Sequence, residues 1–262
     1  MQNISIKTEN KDIINNLCKI YSKKTIDNNV VNVYIDDLYM LSNNLSSILV
    51  EVYEKKLIYD IVCKKINDIN NKSEVYKRVI EYIYDTEYEF SDYFRKIRNK
   101  IIIDAFLNYF NNSHFINIEG FVNFRLGEYV EELVDIISVC EQEVLFDNEY
   151  NNFIGLLKEY VLGQKSRYRK MEFVIKRDDF LILNEKGVNI TQQCIFHSVT
   201  KDYDIVSKIE DLILNILINN APKEIVIHDP DNILQNEFIS TVDIIFDKLK
   251  LCNDCDLCKS NN

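Results

Sequence analysis

The chain has 262 residues, 47% hydrophobic and 28% charged, which is enough apolar side chain for a sizeable core and far from the composition of a disordered segment. Its net charge of −11 argues against general binding to nucleic acid or to an anionic membrane, because phosphate recognition needs a compensating positive surface. The longest apolar stretches, Leu212 to Ile218 and Ile101 to Ile103, fall well short of the ~20 residues that span a bilayer, and Met1 to Asn10 is polar, so neither membrane insertion nor a secretory leader is expected.

Ile4 and Ile6 alternate as a short strand, Ile13, Ile14, Leu17 and Ile20 follow at helical spacing, and Val31, Val33 and Ile35 alternate again. Residues 1–36 therefore read as strand, helix, strand. A helical body is expected over 37–165. From Leu38 to about Phe110 no Gly or Pro interrupts the pattern, and breaks are suggested only near 67–72 and 84–89. Asn117 is a plausible helix cap, with Glu119 in the first turn where the positive helix end favours it. Phe121, Phe124, Tyr129, Leu133 and Ile137 then mark one face and Glu128, Glu131 and Glu132 the other. A second helix, capped at Asp147 or Asn148, carries Tyr150, Phe153, Leu157 and Val161 and stops at Gly163. The two helices are expected to pack together, burying Phe121, Phe124, Leu133, Phe153 and Leu157.

The acid-free joint from Gln164 to Lys170 reads as a solvated connector rather than a contact for nucleic acid. Beyond it the period changes to two: Phe173 and Ile175, then Phe180 and Ile182, form strands joined by a turn at 177–179. Ile205, Ile209, Leu212 and Ile216 give a helix ended by Pro222. Ile225 to Ile227 give a short strand, and Phe238, Val242, Ile245 and Leu249 a last helix. Residues 171–262 thus form a small α/β unit. The fold class is α+β, predominantly helical. Strands are expected only in the first ~36 and last ~95 residues, the two end groups sharing one sheet, because an isolated pair of short strands is marginal alone.

Catalytic signatures are absent. No glycine precedes position 120, so there is no phosphate-cradling loop. His114, His197 and His228 make no paired-histidine helix, and no serine sits in a nucleophile elbow. No catalytic residue is assigned. Cys18, Cys63, Cys140 and Cys194 are scattered through apolar patterns, which is no disulfide framework and fits a reducing cytoplasm.

The tail is different. Cys252, Cys255 and Cys258 form a CxxCxxC array whose thiolates can converge on a soft metal, zinc or an iron–sulfur cluster. In a ferredoxin-type run the fourth ligand would fall at position 262, which is Asn262. His228, at the carboxyl end of its strand where α/β ligands often bind, is the other candidate. Geometry speaks against it: a last helix of roughly 15 residues would carry the chain about 22 Å back towards the opposite sheet edge, leaving Cys252 far from His228. The expected fourth ligand is then water, a thiolate of another chain, Cys194 or His197.

Ile118 to Leu126, then Glu128-Tyr129, Glu149 to Ile154, and Ala221 to His228 resemble the YtxC-like sporulation family over about residue 90 to the end. Gly127 departs from the pattern, where a charged residue is expected. The resemblance implies a sporulation-linked protein whose molecular activity the family does not define. The leading reading is a non-enzymatic cytoplasmic factor that acts through a protein partner. The alternative is a metal- or iron–sulfur-dependent enzyme using the tail cysteines. Glu119, Arg125, Glu128 and His228 are the candidate polar surface.

Overall fold

The computed structural model describes residues 2–22, 24–85, 91–177, 179–198 and 209–259. Ile205, Asn262 and the side chain of His197 lie outside the described residues. Of the described residues 63% are helical, and the chain divides into two compact units, 1–147 and 148–262. No described helix is long and apolar enough to cross a membrane.

In the first unit, β1 (Gln2–Lys7) leads into α1 (Lys11–Ile20), whose cap Asn10 accepts from the Asp12 and Ile13 amides. β2 (Lys24–Asp27) and β3 (Val30–Ile35) form a hairpin turned by Asn28 and Asn29, both at positive φ, as a two-residue turn that follows strand twist requires. The helices α2 (Leu38–Leu49), α3 (Lys55–Lys65), α4 (Ile69–Tyr84) and α5 (Ser91–Phe110) follow, with Asp37 and Asp68 capping α2 and α4. Next come β4 (Phe115–Asn117), α6 (Ile118–Arg125) and the 37-residue α7 (Gly127–Gly163), whose residues to Asp147 belong to this unit. The strand order is β2-β3-β1-β4, with β1 antiparallel to β3 and parallel to β4. Ile4, Ile6, Val31 and Val33 are fully buried against Leu17, Leu41, Phe106 and Leu133. Each such side chain contributes about 1.5–3 kcal/mol.

Between α2 and α3 a π-helical turn, Val50–Glu54, sets Glu54 in the core opposite Arg98 of α5. Arg98 Nη2 lies 3.2 Å from Glu54 Oε1, with side-chain exposures of 3% and 0%. The carboxylate sits beside the guanidinium and the Tyr129 hydroxyl without a well-aligned hydrogen bond to either, and Arg98 Nε and Nη1 have no partner among the described residues. Burial raises the Glu54 pKa against the pull of Arg98.

In the second unit, the rest of α7 is followed by β5 (Lys170–Ile175), β6 (Phe180–Asn184), α8 (Thr191–Ser198), α9 (Ile209–Asn220), β7 (Glu224–His228), α10 (Asn236–Ile245), β8 (Leu249–Cys252) and the one-turn α11 (Asp256–Lys259). The order is β6-β5-β7-β8, with β5–β7 and β7–β8 parallel and β5–β6 antiparallel. Met171, Phe173 and Ile175 of β5 and Ile225 and Ile227 of β7 share one sheet face, packed with Ile154, Ile213, Ile216, Leu217, Val242 and Ile245. The joint before β5 is stitched to this unit: the Arg167 amide donates to Asn220 O, and Arg169 O accepts from the Lys223 and Glu224 amides.

Three sequence expectations need correcting. The end strands do not share a sheet: each unit has its own, and β4, inside the stretch read as wholly helical, completes the first. The N-terminal strands are therefore not an isolated pair, since β2 and β4 bring that sheet to four strands. Second, no helix begins at Asp147 or Asn148, because α7 runs through both. Its core stripe in the second unit is Ile154, Leu157 and Val161, so Phe153 points outward at 56% exposed. Third, Phe124 is 84% exposed while Phe121, Tyr129, Leu133 and Ile137 are buried. Leu126, at φ −102° and ψ 30°, breaks the helix between them, so the phase of α7 cannot be extended back onto α6.

Candidate metal centre

Alternation along β5 puts Lys170, Glu172 and Val174 on the sheet face opposite the apolar core. In register, Val174 pairs with His228 on β7, and His228 pairs with Cys252 on β8. His228 and Cys252 are the last residues of adjacent parallel strands and share that polar face. This carboxyl edge is where open α/β sheets place ligands.

The expectation that Cys252 emerges far from His228 is overturned. α10 ends at Ile245, not Leu249, and Phe246 turns extended. The four residues of β8 then bring the chain back beside β7, so helix and strand together form a crossover that returns the tail to the edge it left. Beyond Cys252 the chain turns into α11, which buries Cys258 and brings Cys255 alongside.

Four donor atoms converge. His228 Nδ1 lies 3.3 Å from Cys255 Sγ and 3.4 Å from Cys258 Sγ. Cys258 Sγ is 3.6 Å from Cys255 Sγ and 4.0 Å from Cys252 Sγ. All four donors lie within 4.8 Å of one another. A tetrahedral zinc with metal–sulfur bonds of about 2.3 Å separates its sulfurs by about 3.8 Å. The donor set thus fits one ion held by three thiolates and an imidazole.

On its other side, His228 Nε2 lies 3.3 Å from Glu172 Oε2, and Lys170 Nζ donates to Glu172 Oε1 at 2.6 Å. Burial opposes ionisation of Glu172, but Lys170 and His228 outweigh it and hold the carboxyl below its usual range. With Nε2–H donated to this carboxylate, Nδ1 keeps its lone pair for the sulfurs' side. Cys255 ionises before Cys258: its sulfur accepts from the Cys258 backbone amide, and its pKa falls to about 6, while burial pushes Cys258 up to about 11.

Cys194 is buried in the apolar core of this unit, and burial pushes its thiol up to about 11. The candidate polar residues fall into separate settings. Glu119, in the first turn of α6, accepts from Thr8 Oγ1 at 2.7 Å and the Glu9 amide at 2.9 Å, which ties the connection between β1 and α1 to α6. Those bonds hold its carboxyl below the usual range, although burial opposes them. Arg125 and Glu128 flank the break at Leu126 and make no ion pair with each other among the described residues. Both line an open cleft of about 790 Å³ with Lys100 and Asp104 of α5. His228 belongs to the second unit. Sequence reasoning missed Glu172. Its one signal was Lys-x-Glu on the outer face of a predicted strand, in register with the strand that ends in His228.

A profile of the YtxC-like family matches residues 39–249, a stretch that includes Glu172 and His228 and stops before the three tail cysteines. The Bacillus subtilis (strain 168) protein described as "Uncharacterized protein YtxC" is 28% identical over 134 residues, 49% of this chain and 47% of that one. The chain thus spans about half the length of this curated relative. No solved structure matches. With more than half of its length matched by the family profile, the chain belongs to the YtxC-like family.

Proposed function

We propose that this chain is a zinc protein in which His228, Cys252, Cys255 and Cys258 hold one ion in a closed site that serves architecture rather than turnover. The convergence of four donors within 4.8 Å carries this reading. A catalytic zinc keeps a position open for water or substrate, and four protein donors leave none. A [4Fe–4S] cluster puts each thiolate on a different iron and a [2Fe–2S] cluster divides its ligands between two irons, so their sulfurs spread apart, whereas these four donors lie within 4.8 Å of one another, as a single ion requires. The ion fastens α11 and the tail to the carboxyl edge of the second sheet. The wider role consistent with family membership is that of a cytoplasmic, sporulation-associated factor working through a protein partner. The seven cysteines form no disulfide among the described residues, which suits a reducing compartment.

Elemental analysis of the purified full chain tests this. One zinc per chain is expected, retained through dialysis against a mild chelator. Cys255→Ser and His228→Ala should each lose it. A wild-type protein without zinc, or one carrying iron with a visible charge-transfer band, would overturn the reading.

A further inference from the structure

Resting on the zinc reading above, we infer that Glu172, seated on Lys170, is the positioning residue that aims His228 Nδ1 at the metal. The imidazole has two nitrogens and only one can face the thiolates unprotonated. Which one is free is decided by what the other donates to. Here Nε2 faces Glu172 Oε2 at 3.3 Å, and Nδ1 faces Cys255 and Cys258 Sγ at 3.3 and 3.4 Å. Glu172 is two residues before Val174, the register partner of His228, so its side chain rises from the same face one strand over. Its second oxygen is taken by Lys170 Nζ at 2.6 Å, which fixes the carboxylate plane and balances its charge. Three thiolates and a dication leave the centre at one net negative charge. A bare carboxylate beside it would repel that charge, and the ammonium of Lys170 offsets this. The arrangement is therefore a relay of orientation: Lys170 holds Glu172, Glu172 holds the ring, and the ring presents one lone pair. Carboxylate partners of this kind raise metal affinity by fixing tautomer and ring angle, and losing one costs roughly 10–100-fold.

The test uses the full chain loaded with zinc and titrated against a chromogenic chelator of known affinity. Glu172→Ala should weaken zinc binding by about 10–100-fold. Glu172→Gln, which keeps an acceptor for Nε2–H, should recover most of that loss. Nitrogen-15 chemical shifts of His228 give a readout that simple destabilisation would not move. The wild type and Glu172→Gln should show Nε2 protonated and Nδ1 metal-bound, and Glu172→Ala should show a weakened or mixed pattern. A wild type that holds zinc while Glu172→Ala binds it within twofold overturns this role and leaves the zinc site standing. A wild type that holds no zinc overturns both.

Discussion

Each unit buries ionisable side chains, and the two do so in opposite ways. In the first, Glu54 and Arg98 face each other across the core, and part of their hydrogen-bonding capacity meets nothing. In the second, every polar atom around His228 has a neighbour: Nε2 meets Glu172, Glu172 meets Lys170, and Nδ1 meets two sulfurs. The first cluster is a pair of opposite charges that satisfies itself by Coulomb attraction in a place water does not reach. The second gathers three soft sulfurs and an imidazole nitrogen, electron-rich donors that attract each other little and share a need for a cation. A buried ion pair stabilises its own partners, while a ring of like donors anticipates something not made of protein.

Breaking the pair should give the largest effect. Arg98→Met strands a buried carboxylate and should destabilise the first unit by about 3–5 kcal/mol, measured by denaturant unfolding. Adding Glu54→Leu should return most of that loss, because two apolar groups need no partner. A double variant as unstable as the single one would mean that the pair does more than neutralise itself. Next in size is removal of the ion. With zinc at a hundred times its dissociation constant, chelation should lower the unfolding free energy by about 2.7 kcal/mol. Arg98→Met should leave zinc content unchanged, and a fall in zinc with it would dissolve the contrast between the clusters. The smallest effect is chemical. In metal-free protein, iodoacetamide should label Cys255 before Cys258, since the Cys258 amide lowers the Cys255 pKa to about 6 and burial raises that of Cys258 to about 11. A lowered pKa means that thiolate prevails above it, so labelling of Cys255 should be fast at pH 7 and fall as pH drops through about 6. Zinc should abolish it.

Much of the fold was legible because period and burial coincide in its regular parts. Ile13 and Leu17 of α1, the alternating Val31, Val33 and Ile35 of β3, and Phe173 and Ile175 of β5 are buried as their spacing predicts. Asn117 caps α6 through the Gly120 amide at 2.8 Å, again as read. What stayed hidden were short strands. β4 has three residues and β2 four, too few for a period to show. β8 was hidden by coincidence: Leu249 falls in helical phase with Phe238, Val242 and Ile245, yet it opens a strand. That one residue decided the candidate site. The three cysteines were visible as a spacing, whereas the histidine beside them depended on which way the chain ran for four residues.

The pairing of His228 with Cys252 has a consequence for how this chain tolerates change. Insertions between Ile245 and Leu249 lengthen a connection and leave both donors at the sheet edge, so that segment can drift in length. One residue added inside β8 is another matter, since the strand alternates and Cys252 would swing to the face where Ile225 and Ile227 lie. The donors are thus indexed by ladder rungs and not by distance along the sequence. Among relatives, a histidine at the end of one strand and a cysteine at the end of its neighbour would mark the same centre even where the count of residues between them differs.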